Sequence, residues 1–194
     1  MTKNGIIILG TLLALLLLLT TGCDLSGGDT PSTTYAIGDT GPSGVGIVFY
    51  ITDGGLHGLE VAPHDQSTGA AWSNVTDVEI GTTGTAIGTG FLNTDAIISQ
   101  SGHTNSAAQI CRNYRYLEEG NWFLPSKDEL NAIWENIVVD GSGQNSGVGG
   151  FAFDYYWPSS EVFSEGAWCQ HFGAGTQSGF TKSLNVHVRA VRAF

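Results

Sequence analysis

The chain has 194 residues, 41% of them hydrophobic and 28 of them glycine, with a formal net charge of −11. That length suits one domain with a sizeable core, and the glycine excess favours turns and short strands over long helices. Eighteen acids against seven bases exclude a phosphate-backbone partner, so no nucleic acid is expected, and anionic headgroups would repel the domain as well.

The first element is an export signal. Lys3 is followed by an apolar run from Ile6 to Leu19, broken only by Gly10 and Thr11, and then by Thr20-Thr21-Gly22-Cys23. A basic start, an apolar stretch too short to span a bilayer comfortably and small residues before a cut site make residues 1–22 a secretory signal. Small residues directly before Cys resemble the lipobox of bacterial lipoproteins, although Thr20 stands where Leu is usual. The resemblance implies cleavage before Cys23 and acylation (diacylglyceryl and palmitate-type chains) of that cysteine. The membrane partner is then reached through lipid on Cys23. The expected place is the cell envelope outside the cytoplasm, at the outer membrane or cell surface rather than the inner membrane. Removing Lys3 with the signal makes the remainder one charge more negative. Residues 23–34 are, apart from Cys23 and Leu25, Ser, Thr, Gly, Asp and Pro with little to bury, and read as a flexible tether.

Residues 35–194 form the folded part. Gly46 to Ile51 is β-branched and aromatic, Asp53-Gly54-Gly55 is a turn, and Leu59 to Ala62 is a second strand, together a hairpin. Trp72 to Gly90 reads as a long ordered loop, and its Gly/Thr run lacks the Lys of a phosphate loop. Asn93 to Tyr114 is helical in pieces, with Thr94 as a cap. Pro125-Ser126-Lys127-Asp128-Glu129 carries a capping box, and Leu130, Ile133, Trp134 and Ile137 follow at helical spacing. Tyr155–Trp157, Ala167–Phe172 and Val186–Arg192 read as strands. The predicted class is α+β: short twisted antiparallel strands, two helices and long ordered loops.

Motifs for chemistry are sparse. Five scattered histidines show no metal spacing. Asp140 to Asn145 starts like a calcium loop but lacks the Glu at its twelfth place. No nucleophile elbow occurs. No enzyme activity, metal or cofactor is expected. Cys111 and Cys169 lie in an exportable chain, where a bridge is permitted; the sequence leaves both a disulfide and two buried free thiols open.

Several strings in order carry a resemblance: Ile37 to Pro42, Gly46 to Tyr50, Trp122-Phe123-Leu124-Pro125-Ser126, Tyr156-Trp157-Pro158-Ser159-Ser160-Glu161, Ala167-Trp168 and Val188 to Arg192. Together they resemble the Lcl C-terminal domain-like family, long catalogued as a domain of unknown function, over essentially all of residues 35–194. The resemblance implies a C-type-lectin-like fold. It also implies binding or adhesion, with a glycan or a host or matrix protein as ligand. The alternative is a structural envelope lipoprotein acting through protein contacts. Two departures stand out. No collagen-like repeat is present, and Pro158 replaces the usual Ser, which removes one backbone donor. Trp157, Glu161, Trp168 and Gln170 are the candidate ligand contacts. For Glu161 the competing role is to tie a loop, for the tryptophans to fill the core, and for Arg189 and Arg192 to pair with internal acids.

Overall fold

The computed structural model describes residues 32–139 and 146–194. The expected signal over 1–22, the expected lipidation site Cys23, the part of the expected tether up to residue 31 and the segment 140–145 lie outside the described residues. The strands are β1 (Ile47–Thr52), β2 (His57–Val61), β3 (Ser67–Ala70), β4 (Tyr155–Tyr156), β5 (Glu161–Phe163), β6 (Gly166–His171), β7 (Gln177–Thr181), β8 (Val186–Val188) and β9 (Val191–Ala193). The helices are α1 (Gly90–Ile98), α2 (Ala107–Asn113) and α3 (Lys127–Ile133), the last continued by a π-helical turn, Trp134–Val138. The class is α+β, with three α-helices where two were expected. No helix among the described residues is long and apolar enough to cross a membrane.

The predicted hairpin forms. β1 pairs antiparallel with β2 from Ile47↔Val61 to Thr52↔His57, and Asp53–Gly55 turns the chain, with Gly54 at φ 67°. In that left-handed region a side chain is disfavoured, which explains the glycine. β9 adds to β2 through Leu59↔Ala193, Glu60↔Arg192 and Val61↔Val191. The second sheet runs β3-β8-β4-β6-β5, with β7 on the other side of β6. Its pairs are antiparallel except β4 with β8, joined in parallel at Tyr156↔His187.

The run Val186–Arg192 is two strands, not one. Val186 and Val188 face the core of the six-stranded sheet, whereas Val191 faces the core of the three-stranded sheet. Arg189 sits at the crossing, fully buried. Its Nε donates to Asp65 at 2.7 Å, one Nη donates to Ala62 and Gly149 carbonyls at 2.9 Å, and the guanidinium lies 4.0 Å from the Phe151 ring centroid. Asp65 also accepts from the Tyr156 hydroxyl at 3.0 Å and contacts His187 Nδ1 at 2.8 Å. A buried cation with this many acceptors locks the two sheets to each other at one joint.

One core lies under the six-stranded sheet and gathers Trp72, Ile97, Cys111, Trp122, Trp157 and Cys169. The other lies between the three-stranded sheet and α3 and gathers Phe49, Val61, Leu130, Ile133, Tyr156 and Phe172. Burying each large apolar side chain contributes about 1.5–3 kcal/mol. The α3 start is the capping box expected: Ser126 Oγ accepts from Glu129 N at 3.2 Å, and Glu129 Oε2 accepts from Ser126 N at 2.7 Å. Thr94 is not a cap. α1 begins at Gly90, and Thr94, inside it, donates to the Gly90 carbonyl at 2.8 Å and accepts from Leu124 N at 3.0 Å. That second bond draws the hydroxyl across to a neighbouring segment. Cys111 and Cys169 are both free and buried, so the disulfide alternative is not realised. Residues 35 and 194 lie together: Tyr35 N donates to the Gly55 carbonyl at 2.9 Å, and the Tyr35 and Phe194 rings meet edge-on at 5.2 Å.

Candidate functional site

Three of the four residues singled out as ligand contacts are spent inside the fold. Trp157 is fully buried, and its Nε1 donates to the Ala70 carbonyl at 2.9 Å. Gln170 is fully buried between α3 and β7; its Nε2 donates to Asn131 at 2.9 Å, and its Oε1 accepts from Gln177 at 3.1 Å. Glu161 ties the long loop. Oε2 accepts from Ile80 N at 2.9 Å and Gly81 N at 3.1 Å, and Oε1 pairs with Lys182 Nζ, which also donates to the Val78 carbonyl at 3.0 Å. The Glu161 side chain is 3% exposed and that of Lys182 is 0%. These three cannot meet a ligand without dismantling their own hydrogen bonds. Trp168 alone keeps surface; it is half-buried, with Lys127 Nζ 4.6 Å from its ring centroid. Arg192 pairs with Glu60 at 3.1 Å and Glu119 at 2.6 Å, so both terminal arginines serve internal acids. Among the described residues no group of three or more His, Cys, Asp or Glu side chains is placed to hold a metal.

The surface offers a different place. Two recesses, of about 360 and about 390 Å³, adjoin through Leu59 and Gly88. The first is lined by Tyr50, His57, Ile87 and Phe194, the second by Phe91, Asn121, Phe123, Glu129 and Ala193. β2 and β9 form the floor. The end of the long loop and the start of α1 form the wall.

That wall is pinned from behind. Glu129 accepts from Gly88 N at 2.7 Å, Ser126 Oγ donates to the Ala86 carbonyl at 2.9 Å, and Asp128 N donates to the Thr85 carbonyl at 2.9 Å. Asn93 brackets Gly84, accepting from its N–H at 2.8 Å and donating to its carbonyl at 2.7 Å. A Cβ at Gly90 would stand 2.3 Å from Glu129 Oε2 and 2.8 Å from Ser126 N, so glycine is required for α1 to start this close to α3. Burial pushes the Glu129 carboxyl above its ordinary range, against the pull of those backbone donors. Its oxygens are engaged by these backbone donors rather than turned to the groove.

Phe91 is 39% exposed, edge-on to Phe123 with centroids 5.8 Å apart and with the Arg112 guanidinium 4.3 Å from its centroid. Asn121 is exposed and left-handed, at φ 64°, and no backbone bond joins it to β9. The groove therefore combines an exposed aromatic, a carboxamide and a phenol over an apolar floor. Such a combination has the makeup of a small-ligand recess. Nothing local in the sequence marked Phe91, Asn121 or Ala193, because they reach the groove from three separate segments.

No curated protein matches this chain. The family model described as the Lcl C-terminal domain matches residues 62–192, from the end of β2 into β9. That match spans most of the chain and contains the loop tied by Glu161 and the groove wall with Phe91, Asn121 and Phe123, but not Leu59 or Ala193. The chain belongs to the Lcl C-terminal domain family.

Proposed function

We propose that this is a lipid-anchored binding domain of the bacterial cell surface that captures a glycan in the groove between β9 and the start of α1. The observation that carries this reading is the half-open Phe91 beside Asn121 over an apolar floor. Sugar rings present one apolar face and a rim of hydroxyls, and such a site matches both. The acidic balance of the domain favours a neutral glycan over a sulfated one. Family membership supports binding or adhesion in general. A C-type-lectin-like fold is part of the proposal, supported by short strands, the long loop fixed by internal bonds and chain ends meeting at one sheet. Lipid on Cys23 would place the domain outside the cytoplasm, at the outer membrane or surface.

A second reading, a structural envelope lipoprotein acting through protein contacts, is favoured by exposed Leu92 and Leu117, at 70% and 76%. The deciding experiment is a glycan array probed with soluble residues 24–194, in calcium and in EDTA. Saturable binding to a defined glycan, lost in Phe91→Ala, supports capture in the groove. Absence of binding under both conditions refutes it and favours protein contacts.

A further inference from the structure

The hydrogen-bond register of β9 adds a chemical constraint that rests on the glycan reading. The bonded pairs between β2 and the C-terminal segment are Gly58 with Phe194 and Ala62 with Ala190, alternating along the ladder. Antiparallel strands alternate bonded and non-bonded pairs, so Leu59↔Ala193 is a non-bonded pair. The N–H and C=O of Ala193 therefore point away from β2, to the side where Val191 exchanges two bonds with Phe123, at 2.8 and 2.9 Å. Asn121 would be the partner of Ala193 in that ladder, but no backbone bond joins the two. Ala193 is left with a donor and an acceptor unused among the described residues, both facing the recess of about 390 Å³.

We propose that this recess holds the N-acetyl group of an N-acetylhexosamine. The acetamido carbonyl accepts from Ala193 N–H, the neighbouring 3-hydroxyl donates to Ala193 C=O, and the methyl turns toward Leu59 and Phe123. One acetamido group cannot take both bonds, since the N–H and C=O of a trans amide point in opposite directions. An amide oxygen and a vicinal hydroxyl lie close together on one side of the sugar and match the two backbone groups of a single residue. An extended peptide fits less well. Val191 is already paired with Phe123, so on that side the open edge is one residue long, too short for an added strand. Phe91 and Asn121 stand where the rest of the ring and its hydroxyls would lie.

The test uses residues 24–194, which contain the whole compact unit 32–194. Glycans ending in N-acetylglucosamine or N-acetylgalactosamine are compared with the same glycans ending in glucose, galactose or the free amine. The expected result is about 10-fold tighter binding of the acetylated forms, since the plain sugars lack both an acceptor for Ala193 N–H and the methyl that covers Leu59 and Phe123. Saturation-transfer NMR should show its largest effect on the acetyl methyl, and the Ala193 amide signal should shift on titration. Ala193→Pro, which removes the N–H on an open edge, and Phe91→Ala, on a half-exposed residue, should each lose binding while keeping the circular dichroism of the parent. Equal binding of acetylated and plain sugars overturns this proposal and leaves glycan capture standing. No binding to any glycan overturns both. Occupation of the Ala193 amide by an extended peptide in place of sugar overturns it too.

Discussion

Removing the Glu161 carboxylate tests a buried ion pair that also ties the long loop. In Glu161→Ala, the buried Lys182 ammonium keeps only the Val78 carbonyl and the Trp72 ring, 5.0 Å from its Nζ, and Ile80 N and Gly81 N lose their acceptor. Breaking a buried pair by deleting one partner costs about 3–5 kcal/mol, because the remaining charge is desolvated without compensation. For a domain of this size each kcal/mol moves Tm by about 2–4 °C, so the midpoint should fall by about 6–20 °C. Urea titrations of Glu161→Ala, Lys182→Met and the double variant form a cycle. The double variant should be more stable than Glu161→Ala alone, since an uncharged thioether in place of the Lys182 ammonium leaves no buried charge. Hydrogen exchange adds a local readout: the Ile80 and Gly81 amides should lose protection before β6 does. A cost under about 1 kcal/mol for Glu161→Ala, or a double variant no more stable than that single one, would refute the argument.

Three further outcomes follow from buried groups. A Cβ at Gly46 would stand 2.4 Å from Glu60 Oε2, and that carboxylate is held by Ser43 at 2.7 Å and Arg192 at 3.1 Å; Gly46→Ala should cost about 1–3 kcal/mol by overpacking, read from urea midpoints. Burial raises Glu60 above the ordinary 4.5, so the folded chain keeps this proton to higher pH than the unfolded one; its contribution favours folding below 4.5 and is lost as pH rises through the raised value. Glu60→Gln should therefore flatten the pH dependence of Tm just above 4.5, and an unchanged profile would contradict this. Burial pushes the Cys169 thiol up to about 12 and raises Cys111 as well, so neither should alkylate at about pH 8 in the native domain and both should react in urea. Labelling of native protein would show an opening that the structure lacks.

What could be read from the sequence was local. The α3 capping box and the β1–β2 hairpin were legible because their determinants lie within a few residues. β3, β5 and β7 were not: Ser67-Thr68-Gly69-Ala70 and Gln177-Ser178-Gly179-Phe180-Thr181 have little β-branched or alternating pattern, and their pairing comes from β8 and β6. The break between β8 and β9 was hard to read because the run stays rich in apolar residues, and only the adjacent pair Ala190-Val191 marks the change of face. At the site, Glu161 stood out as an acid in a marked block, and its loop-tying role was foreseen. Its partner Lys182, 21 residues on, reads in the sequence only as one of three late bases able to pair with acids, with nothing to name Glu161 as the acid. The groove depends on the register of β9 and the backbone of Asn121, neither of which is a pattern of residue types.

The meeting of Tyr35 and Phe194 has a consequence for how this domain can be used. Entry and exit at one point make it a module that could be spliced into a surface loop of another protein without stretching its host. The same closeness permits circular permutation: a short linker across the old ends and new ends opened in an exposed turn such as 116–119 should preserve both cores. A permuted chain that folds would show that the two sheets need their register, not their order of synthesis.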